Sequence, residues 1–237
     1  MATRLPPLLD RALLFAHRGA RVGERAHALD ALSTALRLGA TGLRVDAWST
    51  RDGVVVLDRS GLARRFPRRR ITDVDHEAVA ASMITVDDLF DLVDEVDGVP
   101  IRVGAPDDVT ALAVAEAAER RGITDRLWLA HSDLDVLARW RDAAPLVRLV
   151  DVASLEALPQ GPERRAAELA AARIDAVALG EGDWSGGLVT LFHRFEVLAF
   201  ADGAHHERQL ARLIDMGIDA VSGDHVDRMV AVAATFE

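Results

Sequence analysis

The stretch ALDALSTALRLGATGLRVDAWSTRDGVVVLD, residues 28–58, decides the fold. Its first third repeats apolar residues with a period near 3.6 and stops at Gly39, the pattern of a helix with a glycine at its C-terminal end. Gly42–Asp46 then reads as a strand. Val54–Asp58 is a second strand signal, separated from the first only by the turn STRDG. A parallel neighbour needs a crossover of about a dozen residues. The Asp52-Gly53 pair instead predicts an antiparallel hairpin. The stretch is therefore one helix–strand unit followed by one exception to it.

Outward from this stretch the regular unit recurs. Strands are expected at Leu13–His17, Pro100–Val103, Leu127–Ala130, Val147–Asp151, Asp175–Leu179, Val197–Ala201 and Asp219–Ser222, with helical patterns between them. Thr85 with Asp88 resembles a capping box, and Gly39, Gly122 and Gly217 follow helices as stops. Eight strands, each followed by a helix, within about 240 residues predict a (β/α)8 TIM barrel, an α/β fold. No low-complexity linker divides residues 1–237, so a single domain is expected. The hairpin and the loop after it, about residues 47–82, form an excursion over the top of the second strand. Active sites of such barrels lie at the C-terminal strand ends, so the excursion overhangs the expected site.

Composition narrows the chemistry. The 237 residues are 50% hydrophobic, too apolar for a disordered chain, and the formal net charge is -10, which argues against nucleic-acid binding. The absence of Cys excludes disulfides and thiolate ligands; every cation is Arg, and with no Lys there is no Schiff base or P-loop lysine. No apolar run reaches the ~18–20 residues of a membrane span. The start lacks the pattern of a signal peptide, and a cytoplasmic location is expected.

FAHRGA (15–20), LGATGLRVDAWSTRDGVVVLDRSG (38–61), DWSGGLVTLFHRF (183–195) and GIDAVSGDHVDRMV (217–230) resemble, in order, the glycerophosphodiester phosphodiesterase family in its short bacterial branch. The resemblance implies a TIM barrel that hydrolyses glycerophosphodiesters to glycerol 3-phosphate and an alcohol. It implies a divalent metal, Mg or Ca, held by carboxylates, and two histidines for acid–base work. That equipment suits the reaction, because a metal offsets charge on the phosphoryl oxygens and imidazoles pass protons.

Read motif by motif, the resemblance keeps the first catalytic His and its Arg as His17 and Arg18. The family's Glu opening the first helix falls on Ala26. Its Glu-x-Asp on the second strand reads Arg44-Val45-Asp46, so one ligand has become a cation and Asp46 remains. Its second catalytic His and the following Asp fall on Arg59 and Ser60. The acidic ligand and Lys of its third strand fall on Gly104 and Pro106, and the Trp that often ends its seventh strand on Asp202.

One carboxylate beside an arginine is a poor site for a hard divalent cation, which takes several oxygen ligands. Like charges 4 Å apart repel by about 4 kcal/mol at an effective dielectric of ~20. Loss of one acid–base group removes ~10²–10⁴ in rate, and loss of the metal adds several kcal/mol. The expectation is a catalytically impaired pseudoenzyme without a metal. Its mouth, lined by Arg18, Arg44, Arg59 and Arg102, would hold a small phosphate-like anion.

Two alternatives stand beside it: an active phosphoric diester hydrolase of lipid metabolism, and a structural or interaction barrel, as a homo-oligomer or not. The bland reading of the same arginines is internal pairing, of Arg18 with an acid such as Asp46 and of the others with Asp46, Asp58 and Asp202. The run Arg64–Arg70 reads as a solvated loop, and His131, His193, His205, His206 and His225 as surface or packing residues without ligand spacing. Asp183 and Trp184 read as the cap of the helix that follows.

Overall fold

In a computed structural model, residues 7–19, 28–63, 68–158 and 160–236 are described. The strands in chain order are β1 (Leu13–His17), β2 (Gly42–Ser49), β3 (Val55–Leu57), β4 (Leu62–Ala63), β5 (Arg69–Arg70) and β6 (Ile101–Gly104). They continue with β7 (Leu127–His131), β8 (Arg148–Val152), β9 (Ala176–Gly180), β10 (Leu198–Asp202) and β11 (Ala220–Gly223). The helices are α1 (Leu29–Arg37), α2 (Val86–Asp94), α3 (Asp108–Arg121), α4 (Leu134–Ala143), α5 (Gly161–Ala171), α6 (Gly186–His193), α7 (Glu207–Asp215) and α8 (Val226–Ala233).

Parallel pairing runs β1-β11-β10-β9-β8-β7-β6-β2 and closes through β1 with β2. This is the TIM barrel. β3 pairs antiparallel with the far end of β2, Ala47 against Leu57 and Ser49 against Val55, and Gly53 takes φ 84° in the turn between them. That is the hairpin the Asp52-Gly53 turn demands, because the left-handed residue matches the twist of the two strands.

Strand ends differ from the hydropathy-based expectation in one consistent way. β6 to β11 each run one residue further, to Gly104, His131, Val152, Gly180, Asp202 and Gly223. Ladder hydrogen bonds belong to the backbone and continue where the side chains turn polar at the rim. β2 runs to Ser49 because its last residues pair with β3.

Alternate residues face the barrel interior. Phe15, Trp128, Val150, Ala176, Ala178, Phe200 and Ala220 fill it as one buried cluster. Phe200 lies 5.2 Å from the Trp128 ring and 5.9 Å from Phe15, centroid to centroid, so aromatic contact plugs the barrel beneath its mouth. The strands' outward faces and the helices share the larger core. The capping box is present: Thr85 Oγ1 accepts from the Asp88 N–H at 3.1 Å, and Asp88 Oδ2 accepts from the Thr85 N–H at 2.8 Å. The cap of α6 is a correction. Ser185, not Asp183 or Trp184, takes the N-cap position, with its Oγ accepting from Leu188 N–H at 3.2 Å. Trp184 is instead buried and donates to the Phe200 carbonyl at 3.0 Å.

The excursion carries a small core of its own, formed by Val56, Ala63, Ile71, Val74, Val79 and Met83. Trp48 roofs it and donates from Nε1 to the Asp58 carbonyl at 2.9 Å. Arg68, Arg69 and Arg70 are exposed; Arg64 to Pro67 lie outside the described residues. Among the described residues no helix is long and apolar enough to cross a membrane.

Candidate functional site at the barrel mouth

The residues of the mouth are placed by strand register. His17, Arg44 and Arg102 are aligned across β1, β2 and β6, and one inward step further Asp46 is aligned with Gly104. On the opposite wall Asp202 of β10 is aligned with Ser222 of β11. Because Phe15 and Phe200 face inward, residues two positions on, His17 and Asp202, do so as well.

Asp202 collects the cations. Arg102 grips it with two hydrogen bonds, Nη1 to Oδ1 at 2.7 Å and Nη2 to Oδ2 at 3.1 Å. Arg44 Nη1 lies 3.1 Å from Oδ2, and Ser222 Oγ donates to Oδ1 at 2.8 Å. Burial alone would raise the Asp202 carboxyl, but Arg102 and Arg44 outweigh it and hold the group below the usual carboxylate range. Two guanidinium groups thus share one carboxylate. Arg102 is 1% exposed and its Cζ sits 6.0 Å from the Phe200 centroid, on the aromatic plug. Burial first, and Arg102 second, depress the Arg44 pKa.

Arg18 is committed elsewhere. Its Nε and Nη2 donate to Asp46 Oδ2 at 2.9 and 2.8 Å. It sits at φ 63°, a backbone strain of roughly 1–3 kcal/mol for a non-glycine residue, and its N–H donates to the Arg44 carbonyl at 2.8 Å. Its neighbour His17 places Nδ1 3.1 Å from Asp224 Oδ1. A carboxylate only accepts, so Nδ1 carries the proton and Nε2 is left as an acceptor. Burial chiefly, then Arg44 and Arg18, push the His17 pKa down to about 4, and the ring is neutral at neutral pH.

Arg44, Arg59 and Arg102 line a cavity of about 330 Å³ at the mouth together with Asp46, Trp48 and Gly104. Arg59 is exposed, stands at the end of the hairpin, and makes no ion pair or hydrogen bond among the described residues. Arg18 stands beside the cavity rather than in its wall. Ala26 lies outside the described residues. Among the described residues three buried side-chain polar atoms lack a hydrogen-bond partner: His17 Nε2, Arg102 Nε and Ser49 Oγ. The first two belong to this mouth.

Among the described residues the donor set does not fit a divalent metal. Asp46 is held by Arg18. A Cβ on Gly104 would stand 3.0 Å from Asp46 Oδ1, so a second carboxylate at that position would adjoin the first, yet the position carries no side chain. Among the described residues no group of three His, Asp or Glu is arranged to hold an ion.

Sequence reasoning did not identify Asp224 or Ser222, which complete the site from β11 and the turn after it. Nothing local marks them, since their role depends on strands at opposite ends of the chain closing side by side. Of the remaining histidines, His205 and His225 meet edge to face with ring centroids 6.3 Å apart. His193 bonds Asp219 at the opposite end of the barrel, and His131 accepts from the Asp133 N–H at 3.0 Å and stacks edge-on against Trp140.

No protein-family sequence model matches this chain, and no curated protein matches it. Solved structures do. A structure from Silicibacter pomeroyi DSS-3 described as a glycerophosphoryl diester phosphodiesterase superposes with a TM-score of 0.84 at 15% identity, covering 98% of this chain and 96% of that one. A glycerophosphodiester phosphodiesterase from Thermotoga maritima gives 0.80 at 19% identity, over 94% and 99%. An Oleispira antarctica phosphodiesterase in complex with its product sn-glycerol-3-phosphate gives 0.79 at 15%, over 94% and 97%. Identity this low carries the architecture and not the chemistry. The chain has the barrel fold, end to end, of the solved glycerophosphodiester phosphodiesterases.

Proposed function

We propose that this chain is a glycerophosphodiester phosphodiesterase-family barrel in which the metal-dependent hydrolase site has been replaced by a metal-free anion site. The observation that carries the reading is the charge imbalance at the mouth. Arg44 and Arg102 share the single carboxylate of Asp202, while Arg59 on the same cavity has no ion pair among the described residues. Guanidinium groups in excess of their counter-charges, in a partly buried cavity, suit a phosphoryl group or another tetrahedral oxyanion. Arg44, Arg102 and Arg59 bind; Asp202 and Ser222 hold the first two in place. Arg18 keeps Asp46 neutralised, so that this carboxylate does not repel the ligand. With Arg59 where the family has its second histidine, no relay of two imidazoles exists, and hydrolysis is expected at or near background.

Calorimetric titration with glycerol 3-phosphate or sulfate tests the reading. Heat of binding is expected without any divalent ion. Binding that requires Mg or Ca overturns the metal-free site. Hydrolysis of glycerophosphocholine that is lost in His17→Ala overturns the impaired site. The close pairing of Arg18 with Asp46 and Arg102 with Asp202 favours a second reading, a barrel whose mouth is only internally cross-linked. Absence of heat at millimolar ligand selects that one.

A further inference from the structure

Resting on the anion-site reading, we infer that the mouth takes a phosphate monoester with a compact apolar substituent and prefers it to the ester of a polyol. The cavity has two ends of different chemistry, and strand order sets them. Arg44 and Arg102 are aligned on the neighbouring strands β2 and β6, and Arg59 reaches the same cavity from the end of the hairpin. On the next strands round the barrel the inward positions carry no charge. Ala130 of β7 is aligned with Gly104, and Val152 of β8 stands two residues past Val150, the partner of Ala130. Both line the cavity, with Pro106 after β6 and Trp48 on β2.

This second end offers few hydrogen bonds. Trp48 spends its Nε1 proton on the Asp58 carbonyl, so it presents only its ring to a ligand. His131 accepts the Asp133 N–H at Nδ1 and sets its ring edge-on against Trp140 of α4, in the helix layer. Asp46 lies with the arginines and is held by Arg18. Ser132, exposed at the rim, supplies the hydroxyl side chain of this end. At about 330 Å³ the cavity falls within the range of small-molecule sites, roughly 300–1,000 Å³, and has room for more than a lone oxyanion. The phosphoryl oxygens go to the guanidinium groups. The ester substituent then lies along the ends of β7 and β8, where carbon meets carbon and a hydroxyl would be taken out of water with few partners.

The test is calorimetry on the full chain with n-propyl phosphate, sn-glycerol 3-phosphate and inorganic phosphate at matched ionic strength and about pH 8, where the phosphoryl groups are almost fully ionised. The two esters share one carbon skeleton and differ only in the glycerol hydroxyls. Propyl phosphate is expected to bind about tenfold more tightly than glycerol 3-phosphate, and more tightly than inorganic phosphate. Val152→Thr keeps the side-chain shape and adds a hydroxyl at the apolar end, and the ratio of the two esters falls at least about threefold. Pro106→Ser makes the same change of polarity at the rim, and decides the matter if Val152→Thr fails to fold. Equal affinity for the two esters, or tighter binding of glycerol 3-phosphate or of inorganic phosphate, overturns the inference and leaves the anion site standing. A tenfold preference unchanged in both variants overturns it too, since the substituent then lies elsewhere. Binding of none of the three anions overturns the anion-site reading itself.

Discussion

At each end of the barrel an aspartate gathers several donors, and the two are satisfied in opposite ways. At the floor, where strands begin, Asp219 is 0% exposed and takes His193 Nε2 at 2.7 Å, Ala199 N–H at 2.7 Å, Leu8 N–H at 2.6 Å and Leu9 N–H at 3.3 Å. Three of these donors are backbone groups that need a partner wherever they are buried. At the mouth, Asp202 is contested by two arginines, and two polar atoms nearby stay unpaired. The floor is a closed account of donors and acceptors; the mouth holds surplus cation and an idle acceptor. The first kind of arrangement suits stability and the second suits the proposed anion site, which lies at the C-terminal strand ends as sites of such barrels do.

That contrast can be broken most directly at the floor. Asp219→Ala strips four donors at once and is expected to cost about 3–5 kcal/mol in urea denaturation, with phosphate affinity unchanged. A smaller loss than that of Asp202→Ala would undo the comparison. The next effect is one of pH. His17 titrates near 6.5 when unfolded and about 4 when folded. Between those values the unfolded chain takes up a proton that the folded chain refuses. Stability is therefore full above about pH 6.5 and declines as pH falls toward 4, by about 3 kcal/mol at about 1.4 kcal/mol per unit. Denaturation curves of the unaltered chain and His17→Phe across this window isolate the contribution, which the variant lacks.

Asp202→Ala releases two arginines into a partly open mouth, where water meets some of the cost. A loss of about 2–3 kcal/mol is expected. Phosphate at a hundredfold its Kd contributes about 2.7 kcal/mol and restores most of it. A melt insensitive to phosphate would show that the arginines do not bind the anion. The smallest effect is at the rim. Arg59 has no partner among the described residues, so Arg59→Ala should change stability by less than about 0.5 kcal/mol, while phosphate affinity falls severalfold. A stability loss well beyond that would show Arg59 to be a structural residue.

The elements of the fold were legible because each depends on local chemistry. Helix periodicity, the Thr85 cap and the Asp52-Gly53 turn need only a few neighbouring residues, and Val55–Leu57 became a hairpin strand for the reason its spacing states. Boundaries were misplaced by one residue at the mouth because hydropathy stops at the first polar side chain and the backbone ladder does not. At the site, His17, Arg44, Asp46, Arg102 and Gly104 could be named from motif positions, and period-2 alternation turns them toward one axis. Asp46 and Asp202 could be named too, as pairing partners of the arginines. Ser222 and Asp224 could not be: both come from the far end of the chain, and Asp224 beside His17 lies 207 residues away in sequence.

The order of residues alone therefore determined the barrel, its overhanging hairpin, and which side chains stand where metal ligands would be expected. Only the tertiary structure decided that Arg44 and Arg102 share one carboxylate and that Asp224 holds the His17 ring with Nε2 left unpartnered. The reason is distance along the chain. Periodicity and capping act over a few residues, whereas a charge finds its counter-charge, and an imidazole its tautomer, only when remote strands are brought within 3 Å or so of one another.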